Sequence, residues 1–334
     1  MEAFISKGSA DPQTYLEYEV GPNNVTFNAF IYNPSRVRQE GAQMDQAFIS
    51  DPLGDGFKTV TRLDKLAGTW TTESQIPLAL FNGEDSTGSV WRMNFFRTIT
   101  SAEEFPEQKL CGWRNTGEAN FHVTPAFGTI SVDVKVPACP STTSFTFNTG
   151  IPAVDPSCPL TKVQMCYTPT QLKLDFTAYN ETEFYYDASQ TTNGDIWEYE
   201  VVEAFIYKGA DDPQTYFEYE VNANNVTYNA FVYNPSTVRK EGAPFDHAFV
   251  VDPFGDGFEV DTRVNKKAQL WHTSSVIPLA LFNGENPRGS TWRMNFFRTV
   301  TGPSTFPDQK LCGWKNTNAA NFHITSAFGR VKFV

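Results

Sequence analysis

The sequence predicts an all-β protein: an antiparallel β-sandwich with immunoglobulin-like or jelly-roll-like layers, duplicated along the chain. Three observations carry this. Short runs rich in Val, Ile, Thr, Tyr and Phe alternate with Gly, Pro, Asn and Asp clusters, and no helical period survives beyond about a turn or two. Aromatic residues make up 15% of the 334 residues and charged residues 19%, so polar bulk comes from Asn, Thr and Ser, a composition common among extracellular β proteins. Residues 2–128 align with residues 203–329 at a constant offset of 201, without insertion or deletion and with roughly two positions in three identical.

The duplication is unequal. The stretch Trp197-Glu198-Tyr199-Glu200-Val201-Val202-Glu203-Ala204-Phe205-Ile206 occurs once in full, and the first copy begins at the equivalent of Glu203, Glu2. The expected organisation is a partial module over residues 1–136, a linker over 137–143 and a complete module over 144–334. Missing N-terminal strands leave sheet edge and core uncovered. The first copy alone is therefore expected neither to fold stably nor to bind a ligand well.

Taken in order, Thr14–Val20 and residues 25–32 flank Gly21-Pro22-Asn23-Asn24 and read as an antiparallel hairpin, ended by Asn33-Pro34. Asp51-Pro52-Leu53-Gly54-Asp55-Gly56-Phe57, repeated from Asp252, lacks the ligand spacing of a helix-loop-helix calcium site and reads as an Asp/Gly turn. Residues 70–80 and 271–281 read as strands, followed in the first copy by an Asn82-Gly83-Glu84 turn. In Trp292-Arg293-Met294-Asn295-Phe296-Phe297-Arg298, period two places Trp292, Met294, Phe296 and Arg298 on one face and Arg293, Asn295 and Phe297 on the other. Arg293 and Asn295 then need internal partners or a polar ligand, because burying them unpaired is costly. Residues 162–167 and 172–179 supply strands that the first copy lacks.

A net charge of -12 argues against a nucleic-acid backbone or an anionic membrane surface as partner. No window of about 18 apolar residues exists, so membrane insertion by a helix is not expected. Met1 runs directly into what the second copy shows to be mid-domain sequence, so a signal peptide is expected to have been lost by truncation. Of five cysteines, Cys139, Cys158, Cys166 and Cys312 fall in the complete module, enough for two bridges in three possible pairings; Cys111 is left over. Sequons at Asn24, Asn180 and Asn225 agree with secretion and mark candidate glycosylation sites. No zinc spacing, nucleophile elbow, phosphate loop or His-Glu-x-x-His motif is present.

Trp197 and Trp314 stand beside loop-like sequence, where large aromatics can stack on a sugar ring while nearby Glu, Arg and Asn bond its hydroxyls. Here a resemblance enters. Trp197-Glu198-x-x-x-Val202-Glu203-x-Phe205-Ile206, Tyr216-Phe217-Glu218-Tyr219-Glu220-Val221, Trp292 to Arg298, Trp314 and Asn321-Phe322-His323-Ile324-x-x-x-Phe328-Gly329 resemble carbohydrate-binding module family 9, whose β-sandwich is related to DOMON domains. The resemblance spans residues 144–333 in full and 2–128 in part.

It implies non-catalytic binding of glucan or xylan chain ends or small sugars between two tryptophans, Trp197 and Trp314, with Glu203 as acceptor and Arg293, Asn295 and His323 as further contacts. Even spacing places Trp197 and Glu203 on one strand face. The partial-copy equivalents are Glu2, Arg92, Asn94, Trp113 and His122; the Trp197 equivalent is absent. The resemblance also implies structural calcium, with no ligands identified, no other cofactor, and a polysaccharide-degrading enzyme as a partner. Two alternatives accompany it: a DOMON-type haem electron-transfer domain with Met165, Met294 and His323 as ligands, and a glycoside hydrolase acting on the same glycans.

Overall fold

A computed structural model describes residues 1–81, 88–152 and 158–334. The Asn82-Gly83-Glu84 turn lies outside the described residues. The chain divides into two compact units, Met1–Val132 and Asp133–Val334. The expected all-β architecture is met, and both units are built from antiparallel sheets in sandwich-like layers, although the strands expected over residues 70–80 and 271–281 stop at Gln75 and Pro278 and give way to the 3-10 turns Leu78–Phe81 and Leu279–Phe282.

In the first unit the strands are β1 (Glu2–Lys7), β2 (Thr14–Val20), β3 (Thr26–Tyr32), β4 (Asp45–Phe48), β5 (Lys58–Asp64), β6 (Thr69–Gln75), β7 (Ser89–Ile99), β8 (Lys109–Gly112) and β9 (Gly128–Val132). One sheet runs β4-β3-β2-β1-β7-β8, with β9 also on β7. Only the β5–β6 hairpin stands as a second layer among the described residues.

The second unit comprises β10 (Val134–Val136), β11 (Thr143–Phe147), β12 (Thr149–Gly150), β13 (Thr161–Tyr167), β14 (Gln171–Ala178), β15 (Val201–Lys208), β16 (Thr215–Asn222), β17 (Thr227–Tyr233), β18 (Asp246–Phe249), β19 (Glu259–Asn265), β20 (Leu270–Pro278), β21 (Thr291–Val300), β22 (Lys310–Gly313) and β23 (Gly329–Phe333). The larger sheet repeats the first unit's order as β23-β21-β15-β16-β17-β18, adding β10 in parallel beside β23. The smaller sheet, β11-β13-β14-β20-β19, supplies the full second layer. Residues 137–143, expected as a linker, lie within this unit, and Cys139 is tied there to Cys166.

The period-two reading of β21 holds. Trp292, Met294 and Phe296 enter the inter-sheet core with Val163, Leu174, Phe176 and Trp271 of the smaller sheet, while Phe297 joins Phe205 and Tyr216 in a cluster on the opposite face. Arg298 is also buried on the core side, and its guanidinium pairs with Glu181 at 2.8 Å and donates to the Tyr179 carbonyl at 3.0 Å. A buried charge needs such compensation.

The four cysteines of the complete module pair as Cys139–Cys166 and Cys158–Cys312, the second spanning 154 residues of sequence; Cys111 is free and exposed. The Asp51 and Asp252 motifs are turns in which the aspartate Oδ1 accepts from the Gly54 and Gly255 amides at 3.0 Å. Gly56 and Gly257 adopt φ of 95° and 93°, which a side chain would strain. Asn24, Asn180 and Asn225 all occupy exposed left-handed positions.

Candidate functional site

The candidate residues do not assemble as the resemblance implies. Trp197 does not lie on a strand. It sits in a 3-10 turn, Ile196–Glu198, ahead of β15, so the expected shared strand face with Glu203 is not formed. Ile196 anchors this turn by packing with Val201, Tyr228 and Ala230, and Gln309 Nε2 donates to the Trp197 carbonyl at 2.7 Å. The Trp197 ring is left 46% exposed.

Trp314, expected to pair with Trp197 around a sugar, is 8% exposed and packs in the core. Its ring lies 4.6 Å from Phe145 and 5.7 Å from Phe296, and a Cβ on Gly329 would collide with it at 2.4 Å. Strand β11, which brings Phe145, is what covers it.

Arg293 and Asn295 find internal partners. Arg293 pairs with Asp212 at 2.6 Å and donates to the Thr325 and Ser326 carbonyls. Asn295 bonds the Lys315 backbone through both ends of its amide at 3.0 Å. Their first-unit equivalents Arg92 and Asn94 do likewise with Asp11 and Arg114. These residues fasten loops to the sheet, the internal-partner outcome of the two that the sequence left open.

His323 stacks on Phe205, and its Nδ1 meets the Tyr216 hydroxyl at 2.6 Å; His122 and Tyr15 repeat this at 2.7 Å. Burial, with the Arg239 charge adding to it, pushes His323 down to about 3, so the ring is neutral and the Tyr216 hydroxyl donates to it. Met165 and Met294 lie in the inter-sheet core, whereas His323 belongs to the opposite face. This donor set does not fit a haem iron.

Glu203 lies across from Glu220 on β16, two residues from Glu218 on the same face. Carboxylate oxygens of the three approach within 4.8 Å of one another, and all three side chains are buried. Burial, with repulsion from neighbouring carboxylates adding to it, raises Glu203 and Glu220 well above the carboxylate range, and burial raises Glu218 to about 8. Thr299 donates to Glu203 at 3.2 Å, and the His247 imidazole lies 3.7 Å from Glu218. Glu2, Glu17 and Glu19 form the equivalent group in the first unit. There the carboxylates Glu2 and Glu19 border an open cavity of about 1010 Å³, with Phe27, Arg38, Gln108 and His122. In the second unit Ile196 and Trp197 pack against Tyr228 and Gln309, the counterparts of Phe27 and Gln108.

Sequence reasoning passed over an aromatic group beside this turn. Tyr199 and Phe306 stack with ring centroids 5.2 Å apart and planes 10° from parallel, and Tyr185 meets both edge-on. Phe306 and the neighbouring Tyr186 are exposed. The available signal was the Tyr-Tyr pair at 185–186 and the Trp-Glu-Tyr triplet at 197–199, aromatics outside any alternating strand pattern.

The fold and site thus define a duplicated β-sandwich with an exposed aromatic surface on its second unit. No family model matches the chain. An "Extracellular protein" of Arthroderma benhamiae is 51% identical over 201 residues, which cover 60% of this chain and 90% of that protein. The chain belongs to the family of this fungal protein and is extracellular. Its two disulfides suit that compartment. Among solved structures, a putative carbohydrate-binding protein from Bacteroides uniformis matches at TM-score 0.45 and 15% identity, covering 60% of this chain and 99% of that one. A carbohydrate binding module family 9 from Caldicellulosiruptor kristjanssonii, in complex with cellotriose, matches at TM-score 0.40 and 14% identity over 60% of this chain and 92% of that one. Among the described residues, no helix is long and apolar enough to cross a membrane.

Proposed function

We propose that the protein is a non-catalytic carbohydrate-binding protein whose second unit holds glucan or xylan chains, or small sugars derived from them, on the surface formed by Trp197, Tyr185, Tyr199 and Phe306. The observation that carries this reading is the exposed Trp197 ring on a turn fixed from below by Ile196 and from the side by Gln309. A rigid aromatic face in water gains by covering the C–H face of a pyranose, and pinning it beforehand lowers the ordering cost of binding. Polar groups for the hydroxyls stand close by in Asp195, which accepts from the Trp197 indole at 3.3 Å, and in Glu198. The first unit has Phe105 in place of Phe306 but no counterpart of Tyr185, Trp197 or Tyr199, and is assigned no sugar.

A hydrolase is the weaker reading. Acid–base pairs in glycosidases stand about 5–5.5 Å apart when retaining and about 6.5–9.5 Å when inverting. The Glu203, Glu218 and Glu220 oxygens lie closer than either, beneath a covering turn.

Calorimetric titration with cello- and xylo-oligosaccharides, alongside a reducing-end assay on the matching polysaccharides, tests the proposal. Saturable heat without release of reducing ends is expected. Silence with every sugar, or turnover, would reject it.

A further inference from the structure

In the second unit, residues 158–181 close the inner face of the larger sheet at three points. Cys158 is bonded to Cys312. Strand β14 pairs antiparallel with β20 from Gln171↔Pro278 to Ala178↔Trp271, and its Leu172, Leu174, Phe176 and Ala178 enter the core with Phe296 and Trp314. Glu181 pairs with the Arg298 guanidinium at 2.8 Å.

The first unit keeps the receiving half of each contact. Cys111, the counterpart of Cys312, is a free and exposed thiol. Strand β6, the counterpart of β20, pairs only with β5 among the described residues, so its other edge carries unpaired backbone groups. Phe95 and Trp113, counterparts of Phe296 and Trp314, are 40% and 47% exposed, with ring centroids 5.7 Å apart. Arg97, the counterpart of Arg298, is exposed. Cys111 lies directly across from Arg97 in the β7–β8 register, so thiol, guanidinium and Phe95 share one sheet face. An open strand edge, an aromatic pair, a cation and a thiol are the contacts that a single segment satisfies in the second unit.

We propose that this face of the first unit is a docking surface for a polypeptide segment with the chemistry of residues 158–181: a cysteine, two strands apolar at alternate positions, and a carboxylate after the second. The segment adds a strand to the β6 edge, where main-chain hydrogen bonds supply affinity and alternate side chains supply specificity. Its apolar side chains cover Phe95 and Trp113, its carboxylate meets Arg97, and its cysteine comes to Cys111. The chain's own residues 158–181 are not the source, because Cys139–Cys166 and Cys158–Cys312 tie them into the second unit. Another copy of the chain carries the same ties and does not supply the segment either.

The test uses the full chain and a synthetic peptide of residues 158–181 carrying Cys166→Ser, with its remaining cysteine, Cys158, capped by thionitrobenzoate. The Cys111 thiolate attacks the capped sulfur of the peptide, a Cys111–Cys158 disulfide forms, and the bond to thionitrobenzoate breaks with its electron pair leaving on the coloured thiolate. Docking raises the effective concentration of the capped sulfur, so release is expected at least about tenfold faster than with a scrambled peptide of the same composition. Mass spectrometry should place the new bond at Cys111, and the joined peptide should raise the first unit's unfolding temperature by about 5 °C. Arg97→Glu, at an exposed position, should slow the exchange several-fold, and a peptide carrying Glu181→Lys should restore it. Equal rates for the native-sequence and scrambled peptides would overturn the proposal, as would a charge reversal that the reversed peptide does not rescue. A dimer of chains through this face, seen by sedimentation and not displaced by the peptide, would assign the face to a second copy and overturn it as well. No sugar enters the experiment, so its failure leaves the carbohydrate reading standing, and the reverse also holds.

Discussion

Trp113 and Trp314 occupy equivalent positions in near-identical sequence, yet the first is 47% exposed under the Arg114 guanidinium and the second lies in a core. Phe95 and Phe296 differ in the same way, as do Cys111 and Cys312. Arg97 is exposed, whereas its equivalent Arg298 is buried against Glu181. None of these differences is local. They follow from β11, β13 and β14, which the second unit lays over the inner face of its larger sheet and which have no counterpart among the described residues of the first. The same residues are surface in one unit and structural core in the other because burial is a property of what lies opposite.

The comparison breaks most visibly at paired core substitutions. Trp271→Ala should cost the second unit about 3–5 kcal/mol, the usual penalty for emptying a buried aromatic site, while Trp70→Ala in the half-covered first unit should cost less than half as much. Chemical denaturation followed separately for each unit measures this; equal losses would remove the distinction. Glu181→Ala leaves Arg298 charged and unpaired in the core, for a comparable loss of about 3–5 kcal/mol, whereas Arg97→Ala should stay within about 0.5 kcal/mol.

Reducing Cys139–Cys166 and Cys158–Cys312 should cost the second unit about 2–5 kcal/mol in all and leave the first unmoved. Unfolding with and without reductant reads this directly.

A smaller effect concerns pH. Burial raises Glu17 and Glu218 to about 8 from 4.5, so the folded protein keeps protons that the unfolded chain has released. Their contribution is fully present below 4.5 and is lost as pH rises through 8. Burial lowers His122 to about 4 and His323 to about 3 from 6.5, so their contribution is present above 6.5 and lost as pH falls. Between pH 6.5 and 8 the carboxyl slope acts without the histidines. In chelator, melting temperature should fall across that window, and Glu17→Gln with Glu218→Gln should flatten the fall in both units.

Much of the fold was legible from local pattern. The Thr14–Val20 hairpin and the division of β21 into two faces follow from period two and turn chemistry. The site was less legible. Trp197 read as a strand residue because the alternation of β15 extends back through it, yet Ile196 is drawn onto Tyr228 and closes a 3-10 turn. Trp314 looked loop-like because its cover, Phe145, lies far away in sequence. Arg293 and Asn295 were rightly expected to need partners, but those partners, Asp212 and Lys315, come from loops that no periodicity places. The Glu-Tyr-Glu alternation at 218–220 inside an apolar strand was a visible sign of buried carboxylates, repeated at 17–19.

The central claim is that the second unit alone presents an aromatic surface for sugar. Titrating a bound oligosaccharide into the wild type, Trp197→Ala and Trp113→Ala tests it most directly. Both tryptophans are about equally exposed, so neither substitution should cost much stability. The account predicts that Trp197→Ala weakens binding by about 30-fold, roughly 2 kcal/mol, while Trp113→Ala leaves it unchanged. Affinity unaltered by Trp197→Ala, or lost on Trp113→Ala, would contradict it.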